Sequence, residues 1–169
     1  MVQTGSLGAV SSNWTIAGTG DFNGDGKADI LWRDNNTGTV AIWLLDGLQV
    51  AQSGGIGTVP SNWLMAGTGD FNGDGKADIL WRDSNTGTVA IWLLNGLQLS
   101  QSGILGTVPA NWTIAETGDF DGDGKSDILW RDANTGTAAI WFMNGLQVSS
   151  SAGLGAVAAD WTIQGLNAD

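Results

Sequence analysis

An all-β fold built from four-stranded antiparallel meanders is predicted by three observations: an internal repeat of 49 residues, turn dipeptides at fixed places in each repeat, and strands that are apolar on both faces. The repeat is visible by eye. "GDFNGDGKADILWRD" at 20–34 returns unaltered at 69–83 and comes back as "GDFDGDGKSDILWRD" at 118–132. Trp32, Trp81 and Trp130 keep the step, as do Trp43, Trp92 and Trp141, while Trp14, Trp63, Trp112 and Trp161 add one copy beyond the third unit. Forty of 49 positions agree between 13–61 and 62–110, which fits recent amplification of one unit or design. A fixed period of roughly 20–50 residues marks solenoids, propellers or arrays, in which each unit buries apolar surface against the next.

In the first unit, "WTIAGTG" at 14–20 and "ADILWRD" at 28–34 read as two strands joined by the acidic loop. "TVAIWLL" at 39–45 is a third strand reached through "NNTG", and "LQVAQSG" at 48–54 a fourth reached through Asp46-Gly47. Asp-Gly and Asn-Gly favour two-residue hairpins, and a type I′ turn with φ > 0 at both residues is expected here. Val40, Ile42 and Leu44 point to one face of the third strand while Ala41, Trp43 and Leu45 point to the other. A sheet wetted on one side would alternate apolar with polar, so this strand is covered on both sides. Gln49, Gln52 and Ser53 make the fourth strand a wet edge. These are the requirements of a β-propeller blade. The chain divides into blade 1 at 13–61, blade 2 at 62–110 and blade 3 at 111–152, with a spare outer strand at 1–12 and a spare inner strand at 153–169.

The chain has 169 residues with no cysteine and no histidine, so thiolates, disulfides and imidazole bases are absent and any metal must be held by oxygen. Seventeen acidic against six basic residues, a net charge of −11, would repel DNA or RNA. No apolar run is long enough to span a bilayer, and residues 1–20 lack the charged start and apolar stretch of a secretory signal, so no membrane insertion is expected. No nucleophile, base and orienting group stand together, and the Asp clusters have another explanation, so no catalytic residues and no enzymatic activity are expected.

In "DFNGDGKAD", oxygen side chains fall at positions 1, 3, 5 and 9 (Asp21, Asn23, Asp25, Asp29), glycine at 6 (Gly26), and the main-chain carbonyl of Lys27 at 7. This is the spacing of a tight loop wrapped around a hard cation that takes about 6–8 oxygens. An EF-hand would add an acidic residue at position 12 and flanking helices; here position 12 is Trp32 and the flanks are strands. Calcium is the expected ion, one per blade and up to three per chain, ahead of magnesium with its closer octahedral demand. The bland alternative is a solvated Asx-rich turn, which the same residues favour.

Strand, "GDxNGDGxxD", strand on a blade-sized period resembles the FG-GAP or VCBS repeats of integrin-α-type β-propellers over nearly the whole chain. That resemblance implies calcium in the loop between the innermost and second strands, and an extracellular or cell-surface setting. By position the ligands are Asp21, Asn23, Asp25, Lys27 and Asp29; Asp70, Asn72, Asp74, Lys76 and Asp78; and Asp119, Asp121, Asp123, Lys125 and Asp127, the lysines through their carbonyls. The third loop departs by carrying Asp121 for asparagine. A looser similarity, to Trp-rich seven-bladed propeller lectins, implies saccharide sites between blades. Trp43 and its equivalents are expected in packing between blades. The pairs Trp32-Arg33, Trp81-Arg82 and Trp130-Arg131 are expected to be the more exposed and are the candidates for contact with a carbohydrate, though a hydrogen bond or ion pair within the protein is the first expectation for each arginine.

Propellers close with about 4–8 blades, so three leave two open faces. The expected remedy is a head-to-tail homo-oligomer, two chains giving six full blades or three giving nine, with the terminal strands available for a hybrid blade. The alternative is that the sequence is an excerpt of a longer propeller. Two functions follow: a calcium-stabilised, self-assembling scaffold, or a multivalent lectin whose repeated sites supply avidity.

Overall fold

In a computed structural model, residues 5–158 and 160–164 are described, and they carry twelve strands and no helix. Blade 1 holds β1 (Trp14–Gly20), β2 (Asp29–Asp34), β3 (Thr39–Asp46) and β4 (Gln49–Thr58). Blade 2 holds β5 (Trp63–Gly69), β6 (Asp78–Asp83), β7 (Thr88–Asn95) and β8 (Gln98–Thr107). Blade 3 holds β9 (Trp112–Gly118), β10 (Asp127–Asp132), β11 (Thr137–Asn144) and β12 (Gln147–Ala156). Each set is an antiparallel sheet in sequence order, so the expected meander forms three times. The three sheets stand side by side as an open array.

The turn between third and fourth strands differs by one residue from the expected one. Asp46 pairs with Gln49, so Gly47 and Leu48 occupy the centre, with Gly47 at φ +62 and no non-glycine residue at positive φ among the described residues. Glycine at the first central position alone is the pattern of a type II′ turn, not I′. A register shift between Leu44 and Leu45 absorbs the extra residue. The fourth strands also run four residues beyond the expected 48–54, and β12 takes residues 153–156 from the expected spare inner strand. Residues 5–12, 157, 158 and 160–164 form no strand, and the rest of the two expected spare strands lies outside the described residues.

The core lies between blades. Phe22, Leu31, Val40, Ile42 and Leu44 of blade 1 pack on Ala77, Ile79, Trp81 and Leu94 of blade 2. One repeat on, Phe71, Leu80, Val89, Ile91 and Leu93 of blade 2 pack on Ile128, Trp130 and Met143 of blade 3. The two apolar faces of β7, the third strand of the middle blade, thus serve two different neighbours: Ala90, Trp92 and Leu94 toward blade 1, and Val89, Ile91 and Leu93 toward blade 3. Each large side chain fully buried this way contributes about 1.5–3 kcal/mol. The first strands are tied by a threonine ladder: Thr68 donates to the Thr19 carbonyl at 2.8 Å, and Thr117 to that of Thr68 at 2.8 Å.

Candidate functional site

Each acidic loop is folded around its own first aspartate. Asp21 Oδ1 accepts the Gly24 and Asp25 N–H groups at 2.7 and 3.1 Å, and its Oδ2 accepts that of Gly26 at 2.7 Å. Gly26, at φ +82, makes the sharp turn that position 6 requires. Asn23 accepts the Asp25 N–H at 3.0 Å, and Asp25 that of Lys27 at 2.9 Å. The same pattern holds in the second and third loops.

The ninth position is different in kind. Asp29, Asp78 and Asp127 are buried, and each carboxylate bridges the loop to the third strand. Asp78, for example, accepts the Phe71 N–H at 2.9 Å and the Leu94 N–H at 2.9 Å. Burial pushes the Asp78 carboxyl up to about 7, with the charges of Asp70 and Asp74 adding to the effect. Asp29 and Asp127 shift the same way for the same first reason. Asp78 stands out because blades cover both faces of its sheet.

In the third loop, carboxylate oxygens of Asp119, Asp121 and Asp127 lie within 4.8 Å of one another. Positions 1, 3 and 9 therefore converge there. Position 5 stands apart: Asp123 pairs with the Lys125 ammonium at 2.8 Å, which holds its carboxyl below the usual range. Lys27 likewise pairs with Asp25 at 3.3 Å, and Lys76 with Asp74 at 3.8 Å. The donor set is hard oxygen throughout and fits a calcium-like ion, which would also join carboxylates that otherwise repel. In the first two loops the third position is the amide of Asn23 or Asn72, so fewer carboxylates converge.

The exposure expected of the Trp32 set is overturned, whereas Trp92 and Trp141 do pack against the cores between blades, as expected of the Trp43 set. Trp81 and Trp130 are each 1 % exposed, sealed between blades, and only Trp32, on the open face of blade 1, is less covered. Trp92, and Trp141 with it, is only half-buried and packs edge-on to that buried ring, with centroids 5.4 Å apart in the Trp81–Trp92 pair. The arginines follow the bland expectation. Arg33 sits 5.6 Å over the Trp81 ring and donates to the main-chain carbonyls of Val59, Pro60 and Trp63. Arg82 repeats this over Trp130 at 5.3 Å, donating to Val108, Pro109 and Trp112. Among the described residues Arg131 has no tryptophan beneath it, and it donates to Val157 and Ala158.

Sequence reading missed the bonds that join each acidic loop to the next blade. Ala77 N–H donates to the Asp21 carbonyl at 2.7 Å and Gly96 N–H to that of Phe22 at 2.8 Å; Ser126 and Gly145 do the same for Asp70 and Phe71. These are main-chain groups, and the only signal for them was the 49-residue step itself. In comparison with known families, the sequence matches the FG-GAP-like repeat at residues 21–81 and 70–130. No curated protein matched the chain.

Proposed function

Because the chain belongs to the FG-GAP-like repeat family, we propose that it is a calcium-binding β-propeller scaffold that closes into a ring with further copies of itself. The observation that carries this reading is that its two open faces are copies of faces it already pairs internally. Val59 and Val108 are 6 % and 8 % exposed at the two blade junctions, whereas Val157, one repeat on at the free face of blade 3, is 47 % exposed. Leu154 is exposed where Ile56 and Leu105 pack against the core. On blade 1, Ile16 is exposed where Met65 and Ile114 are packed, beside a hollow of about 460 Å³ lined by Trp14, Trp32 and Trp43. By repeat equivalence, Arg131 of a second copy fills the place over Trp32 that Arg33 takes over Trp81.

Residues 5–11 run over blade 1 much as β4 runs over blade 2, with Gly5 against Leu48 as Gly54 lies against Leu97. A docking copy brings its own β12 along that path, so this segment must yield. Sedimentation velocity and native mass spectrometry in calcium should show a closed oligomer, two copies giving six blades within the usual range of about 4–8. A monomer at every concentration would refute assembly. Calcium binding to the folded form stabilises it by about 2.7 kcal/mol per site at a hundredfold excess over Kd. A melting temperature indifferent to chelator would count against the calcium part. The lectin alternative has less support, because Trp81 and Trp130 are enclosed and Arg33 and Arg82 are committed to carbonyls.

A further inference from the structure

The third acidic loop lies at the free edge of the array, and each contact that its two predecessors make with the following blade is missing there. Phe22 and Phe71 are 0 % exposed, while Phe120 is 38 % exposed. The carbonyls of Asp21 and Phe22 are held by Ala77 and Gly96, and those of Asp70 and Phe71 by Ser126 and Gly145. Among the described residues, no main-chain N–H from another element reaches the carbonyls of Asp119 and Phe120 in this way.

The complementary half of this contact is present on blade 1, equally unfinished. Phe22 is enclosed by Ala77, Ile79 and Leu94. Their counterparts one repeat earlier are Ala28, which is exposed, and Ile30 and Leu45, which are half-buried. The N–H groups of Ala28 and Gly47 correspond to those of Ala77 and Gly96, and neither makes the equivalent bond among the described residues. Knob and socket are therefore carried by opposite ends of the same chain.

We infer that the loop 119–127 is a cation-linked latch between copies: Phe120 enters the socket formed by Ala28, Ile30 and Leu45 of the next copy, whose Ala28 and Gly47 N–H groups bond to the Asp119 and Phe120 carbonyls. This rests on the self-assembly and calcium readings above. The linkage follows from the loop's own geometry. Asp119 offers its carboxylate to the cluster with Asp121 and Asp127 and its carbonyl to the seam, so an ion that draws the three carboxylates together also fixes the acceptors that the neighbour must meet. Without the ion, three like charges in one small volume loosen the loop that forms the contact. Of the three loops this is the one with aspartate at position 3, and it is the one at the seam. Calcium affinity and association then strengthen each other by the same factor, as linked equilibria must.

The test is the association constant of the full chain by sedimentation velocity, in calcium and in chelator, for wild type, Phe120→Ala and Ala28→Lys. Both substitutions lie on exposed positions of the single chain, so circular dichroism of each at low concentration should match wild type and separate misfolding from lost docking. The expected result is association at least tenfold tighter in calcium for wild type, and at least tenfold weaker for each variant in calcium. Mixing the two variants should restore a dimer through the one seam whose knob and socket are both intact. Wild-type association that is indifferent to calcium, or variants that assemble like wild type, would overturn the latch while leaving self-assembly standing. Monomers under all conditions would instead remove the assembly reading on which it rests.

Discussion

Three arginines with identical local sequence occupy unequal surroundings, and their truncation to alanine should differ accordingly. Arg82→Ala removes a cation–π contact at 5.3 Å over Trp130 and hydrogen bonds to the carbonyls of Val108, Pro109 and Trp112. The cation–π part is about 0.5–2 kcal/mol. Charge-assisted hydrogen bonds contribute about 1.5–3 kcal/mol each at most, but these carbonyls border solvent and rehydrate, so the sum comes to about 2–4 kcal/mol. In a chain of this size each kcal/mol moves Tm by about 2–4 °C, which makes the expected fall roughly 5–15 °C. Arg131→Ala removes only the bonds to Val157 and Ala158 on an exposed edge, at a cost of about 0–1 kcal/mol. Urea unfolding followed by tryptophan fluorescence, at concentrations where the chain is monomeric, measures both. Equal costs for the two variants, within about 0.5 kcal/mol, would refute the assignment of Arg82 to the blade junction. Under conditions where copies associate, the Arg131 cost should rise toward that of Arg82.

Phe71→Ala should destabilise the monomer by about 3–5 kcal/mol, because it empties a closed site, whereas Phe120→Ala should change monomer stability little; calorimetry distinguishes them. In chelator, stability should fall as pH rises from about 4 to 7: the fold holds a proton on Asp78 up to about 7 and the unfolded chain releases it near 3.8, so the folded form binds more protons across that window. Asp78→Asn should flatten this slope, and a flat wild-type profile would contradict the burial of a costly charge there. Asp34, Asp83 and Asp132, held low first by the amides of Asn13, Asn62 and Asn111, contribute the opposite slope, confined to more acid pH. Deleting residues 1–11 should tighten association severalfold, read by light scattering across a dilution series, because a docking copy no longer displaces residues 5–11 from blade 1. Unchanged or weaker association would show that the segment does not occupy the docking path.

The acidic loops were legible because their chemistry is local: spacing, glycine and asparagine choices are fixed within nine residues, and Asp21 folds that stretch around its own carboxylate. Strand positions were legible for the same reason, with turn residues bounding the strands and two-sided apolar patterning marking the third; the end of the fourth, a polar edge, was not. The turn at Gly47 shifted by one residue because strand pairing across a bulge, not dipeptide preference, sets which two residues lie at the apex. The packing of the Trp43 set followed from its apolar strand, but the burial of the Trp32 set could not be read from the strands. Trp81 follows Leu80 near the end of a strand that carries Arg82 and Asp83, which looks like a wet end; the covering group is blade 1, including Arg33, an arginine 48 residues upstream of the ring it caps.

By itself the sequence determined the unit, because period, turn and loop signals all act over less than one repeat: a four-stranded sheet with an oxygen-rich loop between its first two strands. Tertiary structure decided what the unit leaves over. Only stacking shows that Arg33 caps Trp81 and that Ala77 holds the carbonyl of Asp21. Only the absence of a next blade within the chain leaves Arg131, Phe120 and Val157 uncovered. Identical residues differ in burial along an array because burial belongs to the pair of blades, and a sequence that repeats cannot distinguish its middle from its ends.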